Sequence, residues 1–79
     1  MMSKSDAAYA ILKERGTAMH VDEIIELALS RGLVKSRAKS PADILDAHLY
    51  LENKSRSRRG VSLRFKKVGP STWGLSEWT

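Results

Sequence analysis

Residues 40–53 read SPADILDAHLYLEN, and this stretch predicts the helix around which the rest of the chain is arranged. Ser40 is a good N-cap residue, and Pro41 fits the first helical position because its missing N–H would have no partner there. Asp43 follows the cap by three residues, where an acidic side chain can close a capping box. Proline cannot continue an earlier helix, so a new helix is expected to begin here.

At 100° per residue, this helix has an apolar side and a polar side. The apolar side is predicted to pack on the preceding part of the chain and consists of Ile44, Leu45, Ala47, His48 and Leu51. The polar side is predicted to face water or a partner and consists of Asp43, Asp46, Tyr50, Asn53 and Lys54. His48 is therefore interpreted as a packed, hydrogen-bonded histidine.

Length and composition exclude several classes of protein. The 79 residues predict one small domain over residues 1–79, with a core from about residue 5 to residue 75. The absence of cysteine excludes disulfides and cysteine-based zinc sites, and His20 and His48 have no metal-ligand spacing. No apolar run has the length of a membrane span. Without a nucleophile–base set or a glycine-rich phosphate loop, we expect no enzymatic activity, no metal and no cofactor.

The charges are distributed unevenly along the chain. The formal net charge is +5. Residues 1–34 hold four basic and five acidic residues, whereas residues 35–79 hold ten basic and four acidic residues. A basic half of a small domain predicts a surface that binds a polyanion.

The first part of the chain predicts a helix and a short strand. Ser5 is expected to cap this helix, and Gly16 is expected to end it. The residues that share its inner face are Ala8, Ile11, Leu12 and Arg15. Residues 17–19 are predicted to be extended and to add a short third strand to a later hairpin.

A second helix is predicted over residues 21–31, with Gly32 after its end. The residues that follow the helical apolar pattern are Val21, Ile24, Ile25, Ala28 and Leu29. His20 stands at the cap position and is interpreted as a helix-start residue that caps more weakly than Ser or Thr, so this end is expected to fray. Leu33 and Val34 are predicted to fold back under the helices.

The second half predicts loops and a hairpin. Residues 35–40 are a basic loop before the central helix, and residues 54–60, KSRSRRG, are predicted to be a flexible basic loop after it. Val61, Leu63 and Phe65 alternate with polar residues, which predicts a strand with one buried face. A bulge is expected at residues 67–68 and a turn at residues 69–72, followed by a strand in which Trp73 and Leu75 point inward. Three helices followed by a two-stranded hairpin predict an α+β winged helix-turn-helix.

Six segments keep the order and spacing of a known domain. They are AAYAIL at 7–12, MHVDEI at 19–24, RGL at 31–33, SP at 40–41 with Leu45, Ala47 and Leu49, RFKKVGP at 64–70, and TWGL at 72–75. From about residue 6 to residue 75, the chain resembles the HARE-type winged helix-turn-helix domain. That domain occurs in bacterial restriction enzymes, in ASX-like chromatin proteins and in the delta subunit of bacterial RNA polymerase.

The resemblance implies a DNA-binding module that is attached to other activities. Two positions depart from the family, which usually has Asn in place of Asp46 and an apolar or amide residue in place of His48. Asp46 puts a negative charge near the surface expected to face the groove. Its carboxylate could accept a hydrogen bond from cytosine N4, or it could repel phosphate and keep the helix from sitting deep.

The candidate DNA-binding residues form two groups. Those predicted to face base edges are Ser40, Asp43, Asp46, Tyr50 and Asn53. Those predicted to contact phosphates are Lys35, Arg37, Lys39, Lys54, Arg56, Arg58, Arg59, Arg64, Lys66 and Lys67. Lysine and arginine side chains release counterions from a duplex, and asparagine can pair with adenine. The alternative for each group is an ordinary solvated surface. Trp78 lies past the core pattern and either packs on the helices or contacts a neighbour.

The sequence thus predicts a non-catalytic module that binds double-stranded DNA, with the central helix in the major groove and the basic loop and wing on phosphates. It could belong to a larger restriction or chromatin-related protein with a linked or associated nuclease or transcription partner. The expected location is the bacterial cytoplasm (nucleoid) or the eukaryotic nucleus. The alternative is a protein-interaction module of a transcription complex, similar to the RNA polymerase delta subunit. RNA is a third candidate, but exposed aromatic side chains for stacking are few.

Overall fold

The structure, a computed structural model, describes residues 2–78. Its elements follow in the order α1 (Lys4–Arg15), β1 (Met19–His20), α2 (Val21–Ser30), α3 (Pro41–Arg59), β2 (Phe65–Gly69) and β3 (Thr72–Leu75). The strands form an antiparallel sheet in the order β1-β3-β2. The predicted α+β winged helix-turn-helix is confirmed, and the short third strand lies at Met19–His20, slightly later than expected.

The first helix begins earlier than its sequence indicated. Ser3, and not Ser5, is the N-cap, because the Ser3 hydroxyl accepts a hydrogen bond of 3.1 Å from the Asp6 backbone N–H. Gly16 ends α1 as predicted, with a φ of 72° that a residue with a side chain adopts at a cost. Ala7, Ala8, Ile11 and Leu12 are buried, whereas Arg15, which was predicted to share their face, is exposed.

The second helix follows β1 without a linker. His20 caps it through Nδ1, which accepts a hydrogen bond of 3.1 Å from the Asp22 backbone N–H. The Val21 N–H donates to the Ser71 carbonyl at 2.9 Å and so joins the helix start to the hairpin turn. The buried residues of α2 are Val21, Ile24, Ile25 and Ala28. Leu29 is partly exposed, and α2 ends at Ser30, one residue before the predicted end.

The third helix is longer than predicted, because residues 54–59 continue it and Gly60 ends it with a φ of 70°. Arg56, Arg58 and Arg59 lie in its last turn, where positive charge stabilises the C-terminal end of the helix dipole. The prediction of a flexible loop at residues 54–60 was therefore wrong. At the other end, Ser40 precedes the first turn, but its hydroxyl makes no capping hydrogen bond.

The predicted faces of α3 were partly wrong. Its buried residues are Leu45 and Leu49, whereas Ala47, His48 and Leu51 are exposed. Asp46 and Asn53, which were predicted to be exposed, are half-buried. The apolar count alone placed the buried side too far around the helix, because polar residues of α3 form hydrogen bonds to the hairpin.

The hairpin begins at Phe65, later than the alternation from Val61 predicted. Residues 61–64 form no strand, and Val61 and Leu63 are exposed. The expected irregularity is confirmed by a register shift between Lys67 and Gly69. Residues 70–71 form the turn, and Trp73 and Leu75 are buried as predicted.

The hydrophobic core lies between the three helices and the sheet. It combines the buried faces of α1, α2 and α3 with Met19, Val34, Phe65, Trp73 and Leu75. Leu33 packs at its edge, so the predicted return of residues 33–34 to the core is confirmed. Trp78 also packs against the core, and its ring lies 3.3 Å from the position that a Cβ of Gly74 would occupy. Of its two predicted roles, Trp78 therefore has the packing one.

Candidate nucleic-acid interface

The solvent-facing side of α3 is the candidate interface. At 3.6 residues per turn, six exposed residues fall within an arc of about 100°, opposite the buried Leu45 and Leu49. We call this arc the outward face, and it consists of Asp43, Ala47, Tyr50, Leu51, Lys54 and Arg58. Sequence reasoning had placed Ala47 and Leu51 in the core. The buried row Leu45 and Leu49, continued by the half-buried Glu52 and Arg56, becomes visible once the helix is extended to Arg59.

Asp46 does not lie on the outward face. Its Oδ1 accepts a hydrogen bond of 2.8 Å from Nε1 of Trp73, a side chain that is 1% exposed. A buried indole N–H needs an acceptor, and Asp46 supplies one from the neighbouring helix. The negative charge at this position is thus explained by the fixing of β3 to α3.

Asn53 lies two helical turns after Asp46, on the same flank of α3. Its Nδ2 donates a hydrogen bond of 3.0 Å to the carbonyl oxygen of Phe65 at the start of β2. Its Oδ1 is buried and has no hydrogen-bond partner within residues 2–78. Asp46 and Asn53 therefore hold the two long strands against α3, and neither side chain is directed at a base.

Arg64 is engaged within the protein. Its Nε and Nη2 donate to the two Glu52 carboxylate oxygens at 2.9 and 2.7 Å, and Nη1 donates to Asp6 at 3.0 Å. The guanidinium lies 5.4 Å from the ring centre of Tyr9 and 5.3 Å from that of Phe65. This bidentate, stacked arrangement is one that lysine could not reproduce.

The carboxyl of Glu52 responds to these charges. Burial by itself raises its pKa, but the hydrogen bonds from Arg64 and Ser5 and the charges of Arg64 and Arg56 outweigh burial. The pKa of Glu52 therefore lies below its ordinary value. Arg56 adds a contact of 3.4 Å to Glu52 and donates to the Ser62 carbonyl at 3.0 Å. Arg56 and Arg64 thus join α3 to residues 61–64, which is a structural role.

The other eight phosphate candidates make no ion pair within residues 2–78. They are Lys35, Arg37 and Lys39 in the loop before α3, Lys54, Arg58 and Arg59 in its C-terminal half, and Lys66 and Lys67 on β2. All eight are exposed. Lys54 Nζ lies 5.6 Å from the ring centre of Tyr50, and Lys67 Nζ lies 5.8 Å from that of Trp73. Lys66 donates to the carbonyl oxygen of Trp78 at 3.1 Å.

Acidic side chains are arranged differently. Four of them are paired with cations away from the outward face: Asp6, Glu14, Glu52 and Glu77. The exposed acidic residues near the start of α2 are Asp22, Glu23 and Glu26. Asp43 and Ser40 line an open groove of about 350 Å³ between the starts of α2 and α3. Positive charge therefore accumulates along the C-terminal half of α3, and negative charge along α2.

Two further observations concern other kinds of site. Within residues 2–78, no group of three or more His, Cys, Asp or Glu side chains is arranged to hold a metal ion. None of the helices described here combines the length and the apolar character that crossing a membrane requires.

Three helices, a short first strand and a hairpin fixed to the last helix define a winged helix-turn-helix domain. The chain belongs to the HARE-HTH family, the helix-turn-helix domain of ASXL proteins and restriction endonucleases, whose family model matches residues 2–78. This family is a DNA-binding type of helix-turn-helix domain. The chain has no significant match among curated proteins or among solved structures.

Proposed function

We propose that this domain binds double-stranded DNA through the outward face of α3. The observation that carries the proposal is the position of the unpaired cations. Lys54 and Arg58 lie on the outward face itself, and Arg59 lies at the end of the same helix. Because lysine and arginine side chains release counterions from phosphates, cations without carboxylate partners favour a polyanionic ligand.

The proposed docking places α3 in the major groove. A helix fits this groove, which is about 12 Å wide. The 19 residues of α3 span roughly 28 Å, so its ends extend past the groove toward the flanking phosphates. Lys35, Arg37 and Lys39 would contact the backbone near one end, and Lys54, Arg58 and Arg59 near the other. Lys66 and Lys67 are the candidate contacts of the hairpin.

The wider role that we propose is targeting. A small DNA-binding module with this family membership would bring another activity to DNA, as part of a restriction or chromatin-related protein or beside a transcription complex. The nuclease or transcription partner would be linked or associated. This role rests on the family description and on the small size of the domain.

The proposal is tested by the salt dependence of duplex binding. Fluorescence anisotropy with a labelled random-sequence duplex compares the wild type with the double variant Lys54→Gln/Arg58→Gln. Each lost phosphate contact reduces the slope of log K against log salt by about 0.9, so the double variant should lose about 1.8. A matched control, Lys4→Gln/Arg15→Gln, changes the net charge equally on α1, which packs against the inward side of α3.

We expect the control to keep the wild-type slope. Equal slopes in the two double variants would show that net charge, and not the outward face, determines binding. Failure of the wild type to bind the duplex at low salt would contradict the proposal itself.

A protein-interaction module is the second candidate, and one observation favours it. Tyr50 and Leu51 are large, exposed side chains on the outward face, and apolar surface of this kind also serves protein contacts. A mainly apolar protein interface would show little salt dependence, whereas duplex binding falls steeply with salt. The same titration therefore separates the two candidates.

A further inference from the structure

The centre of the outward face is apolar. Leu51 is 58% exposed, the largest exposure among the large hydrophobic side chains of residues 2–78, and Tyr50 is 53% exposed. Ala47 lies one turn before Leu51 and is also exposed. These residues form a continuous apolar strip, because positions four apart lie side by side on a helix.

The strip lacks the groups that usually recognise purine bases. Arginine and lysine pair with guanine, and asparagine and glutamine pair with adenine. Asn53, the amide of this helix, is turned toward the Phe65 carbonyl, and Arg56 is engaged with Glu52 and Ser62. The chemistry available at the centre of the outward face is therefore mostly apolar contact.

Cations lie immediately beside the strip. Lys54 follows Leu51 by three residues, about 4.5 Å along the helix axis, and Arg58 follows it by about 10.5 Å. Lys54 Nζ also lies 5.6 Å from the Tyr50 ring centre. This combination suits a ligand with an apolar feature between lines of negative charge. In the major groove of DNA, that feature is the C5-methyl group of thymine, which small apolar side chains contact.

We propose that Leu51, supported by Ala47, contacts thymine methyl groups, so that the domain prefers duplexes with thymine under the centre of α3. This preference rests on the proposed duplex binding. Asp43, on the same face but near the helix start, adds a negative charge that disfavours deep entry of that end. The middle of the helix is thus the part closest to the bases.

Thymine-to-deoxyuridine exchange tests this directly, because it removes only the methyl group. Anisotropy at fixed salt compares a duplex made entirely of A·T pairs with the same duplex carrying deoxyuridine for every thymine. Each buried methyl group contributes about fourfold to Kd. We expect the wild type to bind the thymine duplex about fourfold or more tightly than the deoxyuridine duplex.

Two variants assign the effect to a residue. Leu51→Ala should bind the two duplexes with nearly equal Kd, because it lacks the side chain that contacts the methyl group. Leu29→Ala carries the same substitution on α2, at another partly exposed leucine, and should keep the wild-type ratio. Circular dichroism confirms that both variants are folded at the assay temperature.

The outcomes are distinguishable. Equal Kd values for the two duplexes in the wild type would overturn the thymine preference while leaving duplex binding intact. An unchanged ratio in Leu51→Ala would overturn the assignment to Leu51. Absence of binding to either duplex would contradict the proposed function as well. Sedimentation that shows a dimer dissociated by Leu51→Ala would overturn the inference, because a second copy would then cover the strip.

Discussion

Replacement of Asp46 tests why a carboxylate occupies the last helix. In Asp46→Ala, the Trp73 Nε1 proton loses its acceptor at 2.8 Å, while the ring stays buried. A hydrogen bond to a charged group contributes about 1.5–3 kcal/mol, and the partial exposure of Asp46 favours the lower half of that range. We therefore expect a loss of about 2 kcal/mol in the free energy of unfolding. For a domain of this size, that lowers Tm by roughly 8–16 °C.

The assay is urea unfolding followed by circular dichroism at 222 nm. Asp46→Asn keeps a neutral acceptor and should lose only about 1 kcal/mol. Asp43→Ala removes an exposed carboxylate from the first turn of the same helix, which costs less than about 1 kcal/mol through the helix dipole. An Asp46→Ala variant no less stable than Asp43→Ala would refute the reasoning. Wild-type stability combined with lost duplex binding would show instead that Asp46 faces the bases.

Two further predictions concern α3 and its contacts. Because the pKa of Glu52 is lowered in the folded state, its contribution to stability is present above the ordinary value of 4.5 and is lost as pH falls through the folded-state pKa. Unfolding free energy should therefore decline less between pH 5 and pH 3 in Glu52→Gln than in the wild type; parallel declines would contradict the Arg64 contact. Gly60→Ala should lose about 1–2 kcal/mol at a φ of 70°, and Gly60→Asn less, whereas unchanged stability in both would indicate a flexible chain after residue 53.

The local signals in the sequence were sufficient for the order of elements. The apolar spacing of α2, the proline at the start of α3 and the alternation around Phe65 and Trp73 each depend on nearby residues. The end of α3 was missed because residues 54–59 contain no apolar residue, and the helix is stabilised there by contacts with residues 61–64. A pattern of apolar residues does not register such contacts.

The side-chain contacts that shape the interface depend on residues far apart in the chain. Asp46 and Trp73 are 27 residues apart, and Asp6 and Arg64 are 58 apart. Sequence reasoning could place Asp46, Asn53 and Arg64 in a basic half, but it could not determine that their polar atoms are used internally. The predicted DNA-contact roles of the exposed residues, including Tyr50, remain predictions.

The most direct test of the central claim is a nitrogen-15 NMR titration of the domain with a short duplex at low salt. We expect the largest amide shift changes in residues 47–58 of α3 and in the basic loop at residues 35–39. The exposed acidic part of α2, residues 22–26, should change little. Changes concentrated on α2, or none at all at low salt, would contradict the assignment of the outward face as a DNA-binding surface.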